Sequence, residues 1–444
     1  GGPSITEYAY SISFAVGVCE GEISRLVRVW ANGAPLDLSR FNWRLYKGLE
    51  DQPPDALIEA IEGATPAYRG LAYIVFEDMP LDHFGNRLPQ LSFEVERQVR
   101  STSDWPALEE VVTGVNLIPG AGEFVYSGQI VSRKIGPGQE TPENRHNDFG
   151  MPDFEASLDQ LLDAFPNLGH VNLIVGWFGD DLRCGECLIR PGVETRDKVT
   201  HPVSWRVAGE SRLSAYLISS KDGRPNYGGT PDDASVIAAI RMLKGRGLKV
   251  TLYPFLFMDV SEDNELPDPW CGGQQAAFPW RGRLTCHPAP GQTGSPDGSE
   301  GVQAQVSDFF GQTRAAHFNV VGDSATYTGP QDWRYRRFIL HNAALAKAAG
   351  GVDAFLIGSE MVSMTRLRDD AGFPVVDQLI ALAAEARELL GGGVDVSYAA
   401  DWTEYGGYVP SNAPGDLYFP LDALWADQNI DFVGLDWYPP IADW

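Results

Sequence analysis

The chain has 444 residues, 43% of them hydrophobic, so two or three domains with sizeable cores fit and global disorder is excluded. Asp plus Glu number 60 against 34 Lys plus Arg, and a net charge of −26 argues against a broad nucleic-acid-binding face. No run of about 18 apolar residues occurs, so no membrane span is expected, and no signal peptide is visible. The chain does not open on Met and stops at Trp444, directly after a strand-end motif, so it reads as part of a longer polypeptide.

Residues 1–100 read as a β-rich domain. Tyr8–Val18 alternates as a strand does, and Arg25–Ala31 is a second strand. Asn32-Gly33 is a turn signal leading to Pro35–Leu38. Leu71–Phe76 and Gln90–Val99 add two more strands, and Asp55–Glu62 reads as a short helix. Residues 101–121 form a linker, with a short helix at Asp104–Val112 and a loop at Gly120–Gly122.

From residue 122 to 444 the rhythm becomes alternating strand and helix. The expected strands are Phe124–Val131, Val171–Phe178, Lys249–Phe257, Ala354–Ile357, Val394–Ala399 and Phe432–Leu435. The expected helices are Phe154–Ala164, Ala234–Lys244, Trp333–Ala349, Val376–Leu390 and Leu421–Ala426. Six alternating strands predict a parallel α/β layout. Strand ends carrying Trp177, Asp259, Glu360, Asp401 and Asp436, and no Gly-rich phosphate loop after the first strand, favour a TIM-barrel-like domain over a doubly wound sheet. A full barrel has eight strands, so the last two are expected beyond Trp444. Two inserts, 183–230 and 259–330, leave the ends of their strands where they can wall a cleft or meet a neighbouring subunit.

GVDAFLIGSEM, Gly351–Met361, breaks at Gly358 and ends on Glu360, at the strand end where barrel enzymes keep catalytic groups. Glycoside hydrolysis needs two facing carboxyl groups, and Glu360 suits the acid/base role. The structural alternative is a helix-capping carboxylate, or one paired with Arg366 or Arg368. Asp436-Trp437-Tyr438 suits a sugar subsite, as do Asp401-Trp402-x-Glu404-Tyr405 and Trp177; core packing of the aromatics is the alternative. His146, His170 and His341 have no ligand spacing and read as structural. No P-loop, G-x-S-x-G or H-E-x-x-H appears, and no cofactor is expected. The cysteines Cys19, Cys184, Cys187, Cys271 and Cys286 are odd in number; free thiols, a local disulfide within Cys184/Cys187 or Cys271/Cys286, and a metal site stay open, with no metal expected.

Several strings resemble a known family: Trp177–Glu194, Tyr227–Asp259, Gly350–Met361, Tyr398–Tyr408 and Leu424–Pro440. They are similar to the TIM-barrel-like domain of the large tail-tip protein of gene transfer agents and related tailed phages. Phe14–Gly33 and Tyr68–Val95 resemble the phage host-specificity tail protein, whose N-terminal modules build the tail-tip hub. The resemblance implies a virion component at the tail tip, a homotrimer with distal-tail and hub proteins as neighbours, and a host surface glycan or receptor as target. It also implies a barrel distantly similar to glycoside hydrolases whose acid/base glutamate ends the fourth strand, the place of Glu360 by the count above. Those enzymes carry Asn before that glutamate where this chain has Ser359, assigned to substrate binding, and their nucleophile ends the seventh strand, so Asp436 on the sixth is not assigned as nucleophile. Three functions follow: a structural, host-engaging tail-tip protein, an active tail-associated glycoside hydrolase, or a glycan-binding module without turnover.

Overall fold

The computed structural model describes residues 10–98, 105–118, 122–410 and 413–439. The start of the expected Tyr8 strand, Val99, Asp104 and most of the Gly120–Gly122 loop lie outside them. The chain forms two compact units, one of residues 1–113 with 145–168 and the other of residues 114–144 with 169–444.

The first unit is β-rich. Its strands are Ser11–Glu20 (β1), Arg25–Ala31 (β2), Asn42–Lys47 (β3), Leu71–Pro80 (β4) and Leu91–Glu96 (β5). Strand β4 lies between β1 and β3, antiparallel to both, while β2 pairs antiparallel with β5 and with the short arm Ala34–Pro35. Asn32 and Gly33 both have positive φ, +54° and +82°, the backbone that a tight two-residue hairpin requires and that Asn-Gly adopts at low cost. Leu26 and Val29 from β2 meet Ile74 and Phe76 from β4 in one buried core. Asp55 caps the helix Ala56–Glu62 (α1) by accepting from Leu57 N and Ile58 N. The helix Asp153–Ala164 (α2) forms where apolar spacing predicted it, but it packs in this unit rather than in the barrel.

The second unit holds six parallel strands: Gly114–Leu117 (β6), His170–Gly179 (β7), Lys249–Met258 (β8), Ala354–Ser359 (β9), Asp395–Asp401 (β10) and Gly434–Asp436 (β11). They pair in chain order, each parallel to the next. The helices Asp233–Gly245 (α3), Gly301–Phe310 (α4), Tyr335–Ala348 (α5) and Pro374–Leu390 (α6) fall between successive strands, as parallel crossovers demand. This is a TIM-barrel-like sheet with six of the eight strands of a closed barrel, and the outer edges of β6 and β11 are unpaired among the described residues. One expected strand is corrected. Phe124–Val131 is a run of turns, and β6 takes its place as first strand. Phe124 and Tyr126 looked strand-like because both are buried, and the Tyr126 hydroxyl lies 3.0 Å from the Leu117 carbonyl and 2.9 Å from that of Ile174. The count of six survives, so Glu360 still follows the fourth strand.

Alternation sorts each strand into two faces. Ile174, Tyr253, Leu356 and Ala399, with Phe255, form a cluster drawn from four adjacent strands on one face. Trp177, at an odd position of β7, faces the other way. It is fully buried, with its ring 5.4 Å from Phe338 and 5.5 Å from His341, both on α5, and 5.8 Å from Trp333. The expectation that Trp177 binds substrate is thereby corrected: it is a packing residue between sheet and helix.

The insert 183–230 is tied down by a buried ion network. Arg212 donates from both terminal nitrogens to Glu123, at 2.7 and 2.8 Å, and Lys198 reaches Glu123, Glu143 and Glu194 at 2.7–3.1 Å. Burial alone would raise the Glu123 carboxyl, but the bonds and charges of Arg212 and Lys198 hold it below its ordinary value. Replacing Arg212 by Met leaves that buried carboxylate short of its main partner, and urea unfolding should show a loss of about 3–5 kcal/mol.

Candidate functional site

The chain after β9 turns sharply. Gly358 has φ +149°, and a Cβ there would sit 1.8 Å from the Tyr335 hydroxyl, which donates to the Ile357 carbonyl at 2.9 Å. Glu360 itself has φ +50°, a left-handed conformation uncommon for a residue with a side chain. Its amide still reaches β10, donating to Ala399 O at 2.9 Å, and the next amide, Met361 N, donates to the Tyr398 hydroxyl at 2.7 Å. Local strain is therefore held by fixed partners on both sides of the carboxylate.

Glu360 is buried. Its Oε2 receives the Trp280 indole N–H at 2.9 Å and lies 2.8 Å from an Arg281 guanidinium nitrogen. Arg281 also donates to the Ser359 carbonyl at 3.1 Å and to the Ser359 hydroxyl at 2.9 and 3.2 Å, and its guanidinium stands 3.8 Å from the centre of the Phe255 ring. Both ligands come from the insert 259–330. Gly282 makes room for this: a Cβ there would lie 2.5 Å from the Trp280 ring. The alternatives weighed for Glu360, a pair with Arg366 or Arg368, do not form: Arg366 donates to Thr403 O and Arg368 pairs with Asp297. Ser359 is buried with its hydroxyl turned to Arg281, so its substrate-binding assignment gives way to an internal contact.

The other Glu360 oxygen, Oε1, is also buried, and Asp436 and Tyr438 interact with the Glu360 carboxylate. Asp436, at the end of β11, accepts from the Tyr253 hydroxyl at 2.5 Å. Burial raises its carboxyl to about 6, against the lowering effect of the Tyr253 bond, and the nearby charge of Glu360 adds to the rise. Partial burial and the charges of Glu360 and Asp436 push the Tyr438 phenol up to about 12. Asp436 at the end of β11 thus feels the charge of Glu360 just past β9. Trp402, Trp437 and Tyr438 are 53%, 67% and 68% exposed. Asp401 is buried and caps its own turn, accepting from Thr403 N at 2.9 Å and from the Thr403 hydroxyl. That removes it from a substrate role.

Residues not singled out from the sequence complete the site. Trp280 and Arg281 lie in a Pro- and Gly-rich insert whose pattern marks a loop but no contact. Tyr253 reads as one apolar strand residue among many. Glu404 reads as part of an aromatic subsite, yet it is buried, accepting from the Thr365 hydroxyl at 2.7 Å, the Tyr398 hydroxyl at 3.0 Å and Asp401 N at 3.1 Å. Burial raises its carboxyl to about 7 in spite of those bonds. Among the described residues no group of three or more His, Cys, Asp or Glu suits a metal ion.

The fold and these strand-end carboxyls define an α/β protein with a TIM-barrel-like domain. Residues 333–444 match the family model described as the GTA TIM-barrel-like domain, a span that contains Glu360, Glu404 and Asp436. A chain from the virion of a native gene transfer agent (GTA) particle is 46% identical over 26% of this chain and 29% of its own, with a TM-score of 0.24. A complex structure of GH113 beta-1,4-mannanase is 17% identical over 65% of this chain and 58% of its own, with a TM-score of 0.32. A second GH113 beta-1,4-mannanase structure is 17% identical over 56% and 50%, with a TM-score of 0.28. The chain spans less than two thirds of the length of each. No curated protein matches it.

Two outcomes test the site's physics. Gly358→Ala should destabilise the chain by about 2–4 kcal/mol in urea unfolding, through the Tyr335 clash and the positive φ. Adding Tyr335→Phe should recover part of that loss, whereas independent sites would simply add. Glu404 binds its proton more tightly folded than unfolded, so its stability contribution is full below its ordinary carboxyl range and declines as pH rises to about 7. Melting temperatures measured from pH 4 to 8 should flatten over that window in Glu404→Gln.

Proposed function

We propose that this chain is a structural component of a gene transfer agent or phage particle, placed at the tail tip as a host-specificity or hub protein, whose barrel keeps a glycoside-hydrolase-like frame without turnover. The family-model match over residues 333–444 supports the particle role, and the 46% identical segment comes from a virion chain. The resemblance of the first unit to host-specificity tail proteins supports the tail-tip position. In this reading the chain assembles as a trimer against distal-tail and hub proteins and meets a host surface glycan or receptor.

One observation carries the absence of turnover. A general acid must deliver a proton to the glycosidic oxygen from a carboxyl within hydrogen-bond reach of it. Here Oε2 of Glu360 is taken by Trp280 and Arg281, two residues of the chain's own insert.

The second reading is an active glycoside hydrolase acting on host surface polysaccharide or peptidoglycan glycan. It is favoured by Asp436, a second carboxyl, raised to about 6, whose titration feels Glu360. The two readings part on one comparison. Particles carrying Glu360→Gln should deliver DNA to recipient cells as well as wild type does, and purified wild-type protein should release no reducing sugar from host envelope material. Release that falls by about 100-fold or more in Glu360→Gln would establish the hydrolase instead. Antibody raised against the chain should label one end of intact particles in electron micrographs; uniform or absent labelling would remove the tail-tip assignment.

A further inference from the structure

Three buried thiols lie where the two inserts of the barrel meet. Leu182, Cys184 and Thr285 form a parallel bridge: Thr285 N donates to Leu182 O at 3.0 Å, and Cys184 N donates to Thr285 O at 2.9 Å, pairing Arg183 with Thr285. Cys184 and Cys286 each come one residue after that pair. Neighbouring parallel backbones run ~4.8 Å apart, and Cys184 opens a turn just past the bridge, held to the other backbone by its own bond to Thr285 O. A disulfide needs Cα atoms ~4.4–6.8 Å apart. Both side chains are fully buried near one residue of α4: Cys184 Sγ is 3.7 Å from Gln305 O, while the Gln305 side chain accepts from the N–H of His287, the residue after Cys286, at 2.7 Å and donates to His287 O at 2.8 Å.

The other cysteines are placed differently. The Cys187 sulfur packs against the end of β7, so that a Cβ on Gly179 would meet it at 3.1 Å, beside Met258 and Leu256. Cys271 is exposed, whereas Cys286 is buried. The two local pairings open in the sequence, Cys184 with Cys187 and Cys271 with Cys286, are thus the less suited ones. In this structure all five cysteines are free thiols.

We propose that Cys184 and Cys286 are a disulfide-forming pair that staples the insert 259–330 to the loop after β7. Cys286 stands five positions after Arg281, so the bond would fasten the segment that covers Glu360, whether or not the barrel ever turns over a sugar. The oxidant is a small-molecule disulfide such as oxidised glutathione. One cysteine thiolate attacks it and releases one thiol; the second cysteine thiolate then displaces the other. The Sγ–Sγ bond forms, two electrons pass to the reagent, and the two cysteine protons end on the two released thiols. Neither sulfur is exposed in the folded chain, so exchange proceeds while the insert is transiently open.

The experiment equilibrates the whole chain with oxidised glutathione in mild urea, blocks remaining thiols with N-ethylmaleimide after denaturation, and maps unreduced peptides by mass spectrometry. The expected product links the Cys184 peptide to the Cys286 peptide and disappears on reduction, with Cys187 alkylated. A Cys184–Cys187 link, or glutathionylated or alkylated Cys184 and Cys286 without a link, overturns the proposal. A second measurement compares oxidised with reduced protein within each variant, so that baseline effects of the substitution cancel. Oxidation should raise the melting temperature of wild type and Cys187→Ser by about 5 °C or more. The shift should vanish in Cys184→Ser and in Cys286→Ser, and its survival in either refutes the pairing.

Discussion

The ion pair between Arg281 and Glu360 is the interaction on which the rest of the site depends. Both side chains are buried, and a buried charge is tolerated only when an opposite charge and hydrogen bonds surround it. Arg281 meets that demand four times over, through Glu360, the Ser359 carbonyl and hydroxyl, and the face of Phe255. Glu360 meets it through Arg281 and the Trp280 indole. The pair therefore fixes the insert against the strand ends and makes the strained turn at Gly358–Glu360 tolerable.

In the proposed reading, the same pair is what separates this barrel from a working hydrolase site. An acid/base carboxyl is exposed to substrate and carries an exchangeable proton. Glu360 instead faces a guanidinium supplied by its own chain. The exposed rings of Trp402, Trp437 and Tyr438 and the raised carboxyl of Asp436 lie at or just after the ends of β10 and β11. A frame can keep such groups while one insert alters what they do, because function resides in the site and not in the fold.

Much of the fold was legible from pattern. The continuous apolar runs Val171–Phe178 and Lys249–Phe257 are strands buried on both faces, and Asn32-Gly33 is a hairpin turn, because each pattern has one inexpensive backbone solution. The Phe124–Val131 segment misled for a definite reason: Phe124, Tyr126 and Val131 are buried by turns folded onto the sheet, and burial imprints the same apolar residues as a strand would. Trp177 misled in a similar way. An aromatic at a strand end can face the cleft or the helices, and only the register of β7 against its neighbours assigns it to the helices.

The sequence by itself determined the alternating strand–helix order, the position of Glu360 just past the Ala354–Ile357 strand and the two long inserts, since periodicity and turn chemistry are local properties of the chain. Tertiary structure alone decided that Arg281, 79 positions earlier, caps that glutamate, that Glu404 is a buried carboxyl and that Arg183 pairs with Thr285, joining the two inserts. Contacts of that separation depend on how whole elements pack, and no local pattern of residues encodes which loop will close over which strand end.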